Sequence, residues 1–263
     1  MSPCALEGYE TYAYSTVNST LVAFTTFLSS VYLDVSKERL YIEAPTSAER
    51  RACQTVVAAV VERLLACIAP VTPHMAEEAW QALPYPTPAH SVFQAGWPGA
   101  PEQWATGMPE EEAAFWASVL AIRGEVNKGI EAARGQKLVG ASLEAKAVVF
   151  TPDAKFAAQL RARMPELKQA FIVSEVEVAA SVEEVAGCGA VSEAAEGIEG
   201  VEGVVTVGVS RAAGCKCARC WGFSTALGAD ERHPELCPRC TPIVVAAHPD
   251  MVAPVKVAPA AVA

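Results

Sequence analysis

A chain of 263 residues, 52% hydrophobic and 19% charged, is too apolar for wholesale disorder and long enough for one large or two to three small cores. Its formal charge of −10 excludes a global attraction to nucleic acid, so any such contact must come from local basic patches. Met1 to Thr20 shows no basic n-region, apolar h-region or Arg/Ser-rich amphipathic stretch, so no signal or transit peptide is expected.

In chain order, Val17, Leu21, Phe24, Leu28 and Val31 recur at three- and four-residue steps and predict an apolar helix face ending near Asp34. Leu40, Tyr41 and Ile42 are then expected to be briefly extended before Pro45. Thr46 followed by Glu49 has the form of a capping box. The run behind it, Cys53, Val56, Val57, Val60, Val61, Leu64, Leu65 and Ile68, covers more than half a helix circumference and predicts a central helix stopped by Pro70. Glu62 and Arg63 in its middle exclude a membrane span. Thr72 with Pro73 starts a further helix, whose inner face is Ala76, Ala79, Trp80 and Leu83. Residues 84–109, rich in Pro and Gly, read as a long loop anchored by Trp97 and Trp104.

The helix from 109 to 134 opens on Glu110, Glu111 and Glu112, acids that favour a helix N-terminus. Its predicted buried stripe is Phe115, Val119, Ile122, Val126, Ile130 and Ala133. Arg123, Asn127, Glu131 and Arg134 form a polar stripe beside Lys128, and Lys137 and Lys146 follow. That stripe is either a solvated face or a phosphate-contacting one. Beyond it, Val148–Phe150 reads as a strand, 152–164 as a helix and 170–178 as a strand pair or one bent strand. Residues 181–203, with six glutamates and no lysine or arginine, read as an acidic loop, and Val204 to Val209 as a last strand. The tail after Ala246 is biased to Ala, Val and Pro and is expected to fray. The predicted organisation is mainly α: a helical segment 1–108, a long helix and basic connector 109–146, a small α/β element 147–210, a cysteine knuckle 211–245 and a low-complexity tail 246–263.

Nine cysteines are an odd number for a disulfide framework. Cys53 and Cys67 lie in an apolar run and read as small core residues. Cys217, Cys220, Cys237 and Cys240 form two C-x-x-C pairs sixteen residues apart, and such pairs turn both thiolates toward one ion. Four protein ligands leave no open position, so the site is structural and not catalytic. Zinc suits four thiolates, and a single iron fits the same geometry. Cys215 and His233 compete for a ligand position but break the symmetric spacing. Arg211, Lys216, Arg219, Arg232 and Arg239 surround the thiolates, with Trp221 next to Cys220. Cations beside an aromatic ring suit RNA, charge for phosphates and stacking for bases. Alternatively, Trp221 is the knuckle's core and the arginines offset thiolate charge.

Several segments in order resemble the bacterial-type isoleucyl-tRNA synthetases. FLSSVYLDVSKERLY at 27–41 is similar to that family's FYLDI-KDRLY signature. Leu65, Ile68, Ala69 and Pro70 through Glu77, Glu78 and Trp80 resemble its API…ADEIW stretch. RGEVNK at 123–128, then Glu131, Ala132, Arg134, Lys137, Val139, Gly140 and SLEA at 142–145, resemble a further run, and CARCW with CPRC resembles its C-terminal zinc domain. The resemblance covers about residues 9–245. It implies a helical-bundle anticodon-binding domain that holds the anticodon arm of tRNA(Ile), one structural Zn2+ on the four cysteines, and RNA contacts from Arg123, Lys128, Arg134, Lys137, Arg219, Trp221 and Arg239. In that family the catalytic half charges tRNA(Ile) with isoleucine and ATP. Its HIGH and KMSKS motifs are not found here, nor is a G-x-G-x-x-G or P-loop, so the chain alone is predicted inactive. It is expected to be a fragment or split subunit of the cytoplasm, plastid or mitochondrion, whose partner is the catalytic half as a separate chain, with no DNA or membrane partner. Other readings are a free-standing RNA-binding or adaptor module, the same region of a valyl, leucyl or methionyl enzyme, or a zinc-ribbon docking protein.

Overall fold

The computed structural model describes residues 2–97, 99, 107–193 and 197–250; Trp104 and the tail from residue 251 lie outside the described residues. The chain folds as two compact units, Met1–Gly107 and Met108–Ala263. Helices make up the first, and a four-stranded sheet with helices makes up most of the second.

In the first unit α1 (Ser2–Glu10) packs against α2 (Tyr14–Phe27), which runs through a π-helical stretch at Leu28–Leu33 into α3 (Asp34–Tyr41). The helix therefore does not end near Asp34, and Leu40 and Tyr41 are helical, not extended. The wide turn has a local cause. Thr25 Oγ1 donates to Leu21 O at 2.9 Å and Ser30 Oγ to Thr26 O at 2.7 Å, so hydroxyls engage backbone carbonyls just where the ladder widens. Of the expected apolar face only Val17 is fully buried.

The cap of α4 (Ala48–Ile68) sits one residue later than the sequence suggested. Ser47, not Thr46, accepts from Arg50 N at 3.1 Å. Nor is α4 central throughout: Cys53, Leu65, Ala66 and Cys67 are buried, while Val56 to Leu64 stay half-buried. Thr72 stands at the N-cap position of α5 (Pro73–Gln81), but its hydroxyl turns back to Ile68 O. Ala76 and Trp80 join Leu65, Ala66, Ala69 and Val92 in a small core. Trp80 Nε1 donates to Ala89 O, and the Glu77 carboxylate accepts from Ser91 Oγ and Val92 N, which binds the following loop to α5. Trp97 rests edge-on against Tyr9.

The second unit is built on α6 (Glu110–Gly135), whose predicted stripe from Phe115 to Ala133 is buried at every position. It packs on a sheet of order β2-β1-β4-β3, formed by β1 (Ala145–Phe150), β2 (Glu175–Val178), β3 (Ala190–Glu193) and β4 (Thr206–Arg211). The β1–β2 pair is parallel and the other two pairs are antiparallel. Period-2 alternation separates the faces: Ala145, Ala147, Val149, Val207 and Val209 enter the main core, while Val148 lies opposite with Ala179 and Val185. Gly129 lets α6 approach closely, since a Cβ there would stand 2.7 Å from Val209 Cγ2.

Between β1 and β2 run α7 (Ala154–Ala162) and α8 (Met164–Phe171), where one helix was expected. Ala170 and Phe171 are the end of α8, so only Glu175–Val178 of the predicted bent strand is strand. The chain leaves α8 through Ile172, in left-handed backbone. The acidic segment 181–203 is not simply a loop, because it contributes α9 (Val182–Ala186) and β3. Short strands β5 (Cys215–Lys216) and β6 (Phe223–Ser224) pair antiparallel, and α10 (Cys240–Ala247) follows. Among the described residues no helix is long and apolar enough to cross a membrane.

Candidate metal centre and nucleic-acid interface

Two C-x-x-C turns meet across the β5–β6 ribbon. In the first, Trp221 N donates to Cys217 O and Cys217 N to Gly222 O, curling the chain so that both sulfurs face inward. In the second, Cys240 N donates to Cys237 O, and Cys240 is the first residue of α10, where the helix dipole favours a thiolate. Gly214 lets the ribbon close: its φ is +82°, and a Cβ would stand 2.2 Å from Ser224 O.

The Sγ atoms of Cys217, Cys220, Cys237 and Cys240 lie within 4.8 Å of one another. A tetrahedron with metal–sulfur bonds of 2.3 Å has edges of about 3.8 Å. The Cys220–Cys237 sulfur separation is 3.8 Å, so the donor set fits one tetrahedral ion. Neither Cys215, which is exposed, nor His233, which is buried, belongs to the cluster.

The hydrogen bond shared with Cys240, together with burial, pushes the Cys220 thiol up to about 12, and burial raises Cys237. Cys240 is lowered by its bond from Cys220 and by Arg219. Arg219 Nη1 lies 3.5 Å from Cys240 Sγ, and Cys237 N donates to Cys217 Sγ at 3.4 Å; such donors steady coordinating thiolates.

Trp221 is not the knuckle's core. It is 61% exposed, in left-handed backbone (φ +65°), with Lys216 Nζ 5.1 Å from its ring centroid. The surrounding cations are not equivalent. Arg219 faces a sulfur, Arg232 pairs with Asp230, and Arg211 lies over Phe223. Arg239 is half-buried. Five cations against three acids between residues 211 and 243 leave two positive charges, which four thiolates about a dication would cancel. The exposed tip of the knuckle is a ring with an ammonium above it.

The basic stripe divides in the same way. Arg123 Nε donates to Ala170 O and holds the end of α8. Arg134 reaches Gly140 O, Ser142 Oγ and the Glu131 carboxylate, and so fixes the turn after α6. Lys128 is well exposed and paired with Glu125. Lys137 stands exposed on that turn in left-handed backbone (φ +60°), a conformation costing about 1–2 kcal/mol for a side-chain-bearing residue. No residue type announces the left-handed geometry at Lys137 and Trp221, because neither is Gly, Asn or Asp. Lys216, the partner of Trp221, is in the sequence only one cation among five.

Residues 5–149 match the family model described as the anticodon-binding domain of tRNA ligase, more than half the chain. The chain belongs to that family. Residues 214–243, which include all four cysteines, match a second model, the zinc finger found in FPG and IleRS. The anticodon-binding match thus covers the first unit together with α6 and β1, and the zinc-finger match covers the knuckle. Among relatives, an isoleucine–tRNA ligase of Arabidopsis thaliana, described as chloroplastic/mitochondrial, is 40% identical over 93% of this chain and 23% of its own length. Isoleucine–tRNA ligases of Crocosphaera subtropica and Gloeobacter violaceus are 39% and 41% identical over 91% and 89% of this chain. The chain spans about a quarter of the length of these relatives.

Proposed function

We propose that this chain binds tRNA(Ile) through its anticodon arm, as the RNA-holding portion of an isoleucine–tRNA ligase whose catalytic half activates isoleucine with ATP. The first unit is read as part of a helical-bundle anticodon-binding domain, acting in the cytoplasm, a plastid or a mitochondrion. The metal of the knuckle is a single structural Zn2+, which suits a closed set of four thiolates and offers no open position for chemistry. The observation that carries the proposal is Trp221: a large ring held out in solvent beside Lys216, at the tip of a metal-rigidified turn. A base can stack on such a ring while the ammonium meets a phosphate. Lys128, Lys137 and Arg239 add phosphate contacts, and Arg219 and Arg123 serve mainly by holding the scaffold.

The test is filter binding of the metal-loaded chain to an isoleucine tRNA transcript against bulk RNA, before and after chelation. Preferential binding that is lost with the metal supports the proposal; equal retention of bulk RNA, or none of either, removes it. Trp221→Ala is expected to weaken binding by about 1–3 kcal/mol. Lys128→Ala with Lys137→Ala should flatten the salt dependence by about one to two log units per decade of salt, uniformly across tRNA sequences. Arg134→Ala is a poorer probe, because it also loosens the turn carrying Lys137.

A further inference from the structure

Ser174 is a buried serine, 3% exposed, that neither the metal nor the basic stripe uses. Its side chain nevertheless joins three segments. Ser174 Oγ donates to Leu143 O at 2.6 Å and accepts from Phe223 N at 2.7 Å, while its backbone N–H donates to Ala145 O. A Cβ at Gly222, the residue after Trp221, would lie 3.5 Å from this hydroxyl. Leu143 follows Ser142, which Arg134 grips beyond the Lys137 turn. Two further bonds fix the knuckle's entrance: Ala212 N to Glu144 O at 2.8 Å, and Ala213 N to the Glu175 carboxylate at 2.9 Å. The knuckle is thus tied to the start of β1 and β2 and does not hang on a tether.

We propose that Ser174 is a positioning residue, whose hydroxyl, bridging Leu143 O and Phe223 N, locks the Trp221 turn onto the sheet so that the ring meets RNA in one fixed orientation. This rests on the RNA-binding role proposed above for Trp221. The metal holds the four sulfurs together but does not dictate how the knuckle is oriented on the sheet. Beside the two bonds at the knuckle's entrance, one donor–acceptor hydroxyl fixes the turn at the residue pair following the ring. In Ser174→Ala the Phe223 N–H and Leu143 carbonyl both lose their partner, while the metal cage keeps its own bonds.

The test is a double-mutant cycle on the metal-loaded full chain, with an isoleucine tRNA transcript as probe. Ser174→Ala is expected to keep one metal per chain, to speed amide exchange at Phe223 while leaving Cys217 N–H protected, and to bind the transcript about tenfold more weakly. Ser174→Ala added to Trp221→Ala should cause no further loss, because the hydroxyl acts through the ring. Wild-type affinity in Ser174→Ala would overturn the inference. So would a loss fully additive with Trp221→Ala, or loss of the metal on substitution, which would make Ser174 a stability residue only. Failure of the unsubstituted chain to bind would instead overturn the RNA-binding role, and the inference with it.

Discussion

The two units bury their apolar residues very differently. In the second, α6, α7, α8 and three strands contribute to one cluster of twenty-one buried residues among those described, including Ile122, Val126, Val149 and Val207 at 1% exposure or less. The first gathers six, Trp80 among them, in its cluster, and Val22, Phe27, Tyr41, Met75 and Phe93 stand about half exposed or more. Both sequences are comparably apolar, so composition does not explain the contrast. A sheet offers a wide flat face that several helices can cover side by side, whereas helices packed along successive edges share only narrow seams. The knuckle is a third case: too small for a core of its own, it gathers four cysteine sulfurs that could hold one ion.

The largest test of this contrast is removal of the metal. Chelation, or Cys220→Ser, should unfold residues 215–240, forfeiting binding free energy on the order of 10 kcal/mol. Hydrogen exchange should show those amides opening while β1, β4 and α6 remain protected; collapse of the sheet as well would mean that the knuckle is integral to the core. Next, Ile122→Ala in the dense core should cost about 2–5 kcal/mol, measured by denaturant unfolding. Leu65→Ala in the thin core should cost near 2 kcal/mol or less, since its half-exposed neighbours can relax into the space. Equal costs would erase the distinction between the units. Ser47→Ala should cost about 1 kcal/mol, seen in the melting of the first unit, whereas Thr46→Ala should be nearly silent.

The smallest effect concerns pH. Asp153 caps α7 through Phe156 N, and that bond with a second from Glu202 N lowers its carboxyl below the ordinary range. A lowered folded-state pKa means that the stabilisation is fully present above the ordinary carboxylate range and disappears as pH falls through the folded value. The melting temperatures of wild type and Asp153→Asn should therefore differ at pH 6 and converge toward pH 2. A constant gap would show that the cap works without its charge.

Local periodicity made much of this legible. The stripe of α6 was readable because a 3.6-residue repeat with an acidic start has one interpretation. The cluster of four cysteines was readable because C-x-x-C spacing is itself a geometric instruction. Where local signals were weak or doubled, the sequence misled. Tyr41 is helical because a widened turn at Leu28–Leu33, beside hydroxyl-to-carbonyl bonds from Thr25 and Ser30, carries the helix past Asp34. The cap fell on Ser47 because two adjacent hydroxyl residues offer the same chemistry. The acidic segment hid a strand because β3 owes its pairing to β4, fifteen or so residues away.

By itself the sequence determined the four-cysteine cluster, the buried face of α6 and the family, since each depends on residue identity at fixed short spacing. The tertiary structure alone decided which cations are committed and which are presented. Arg123 and Arg134 hold carbonyls, Arg219 faces a sulfur, and Trp221 points outward. Those roles depend on partners brought together from forty or more residues away in Arg123's case, and on left-handed backbone at Lys137 and Trp221 that no residue type announces.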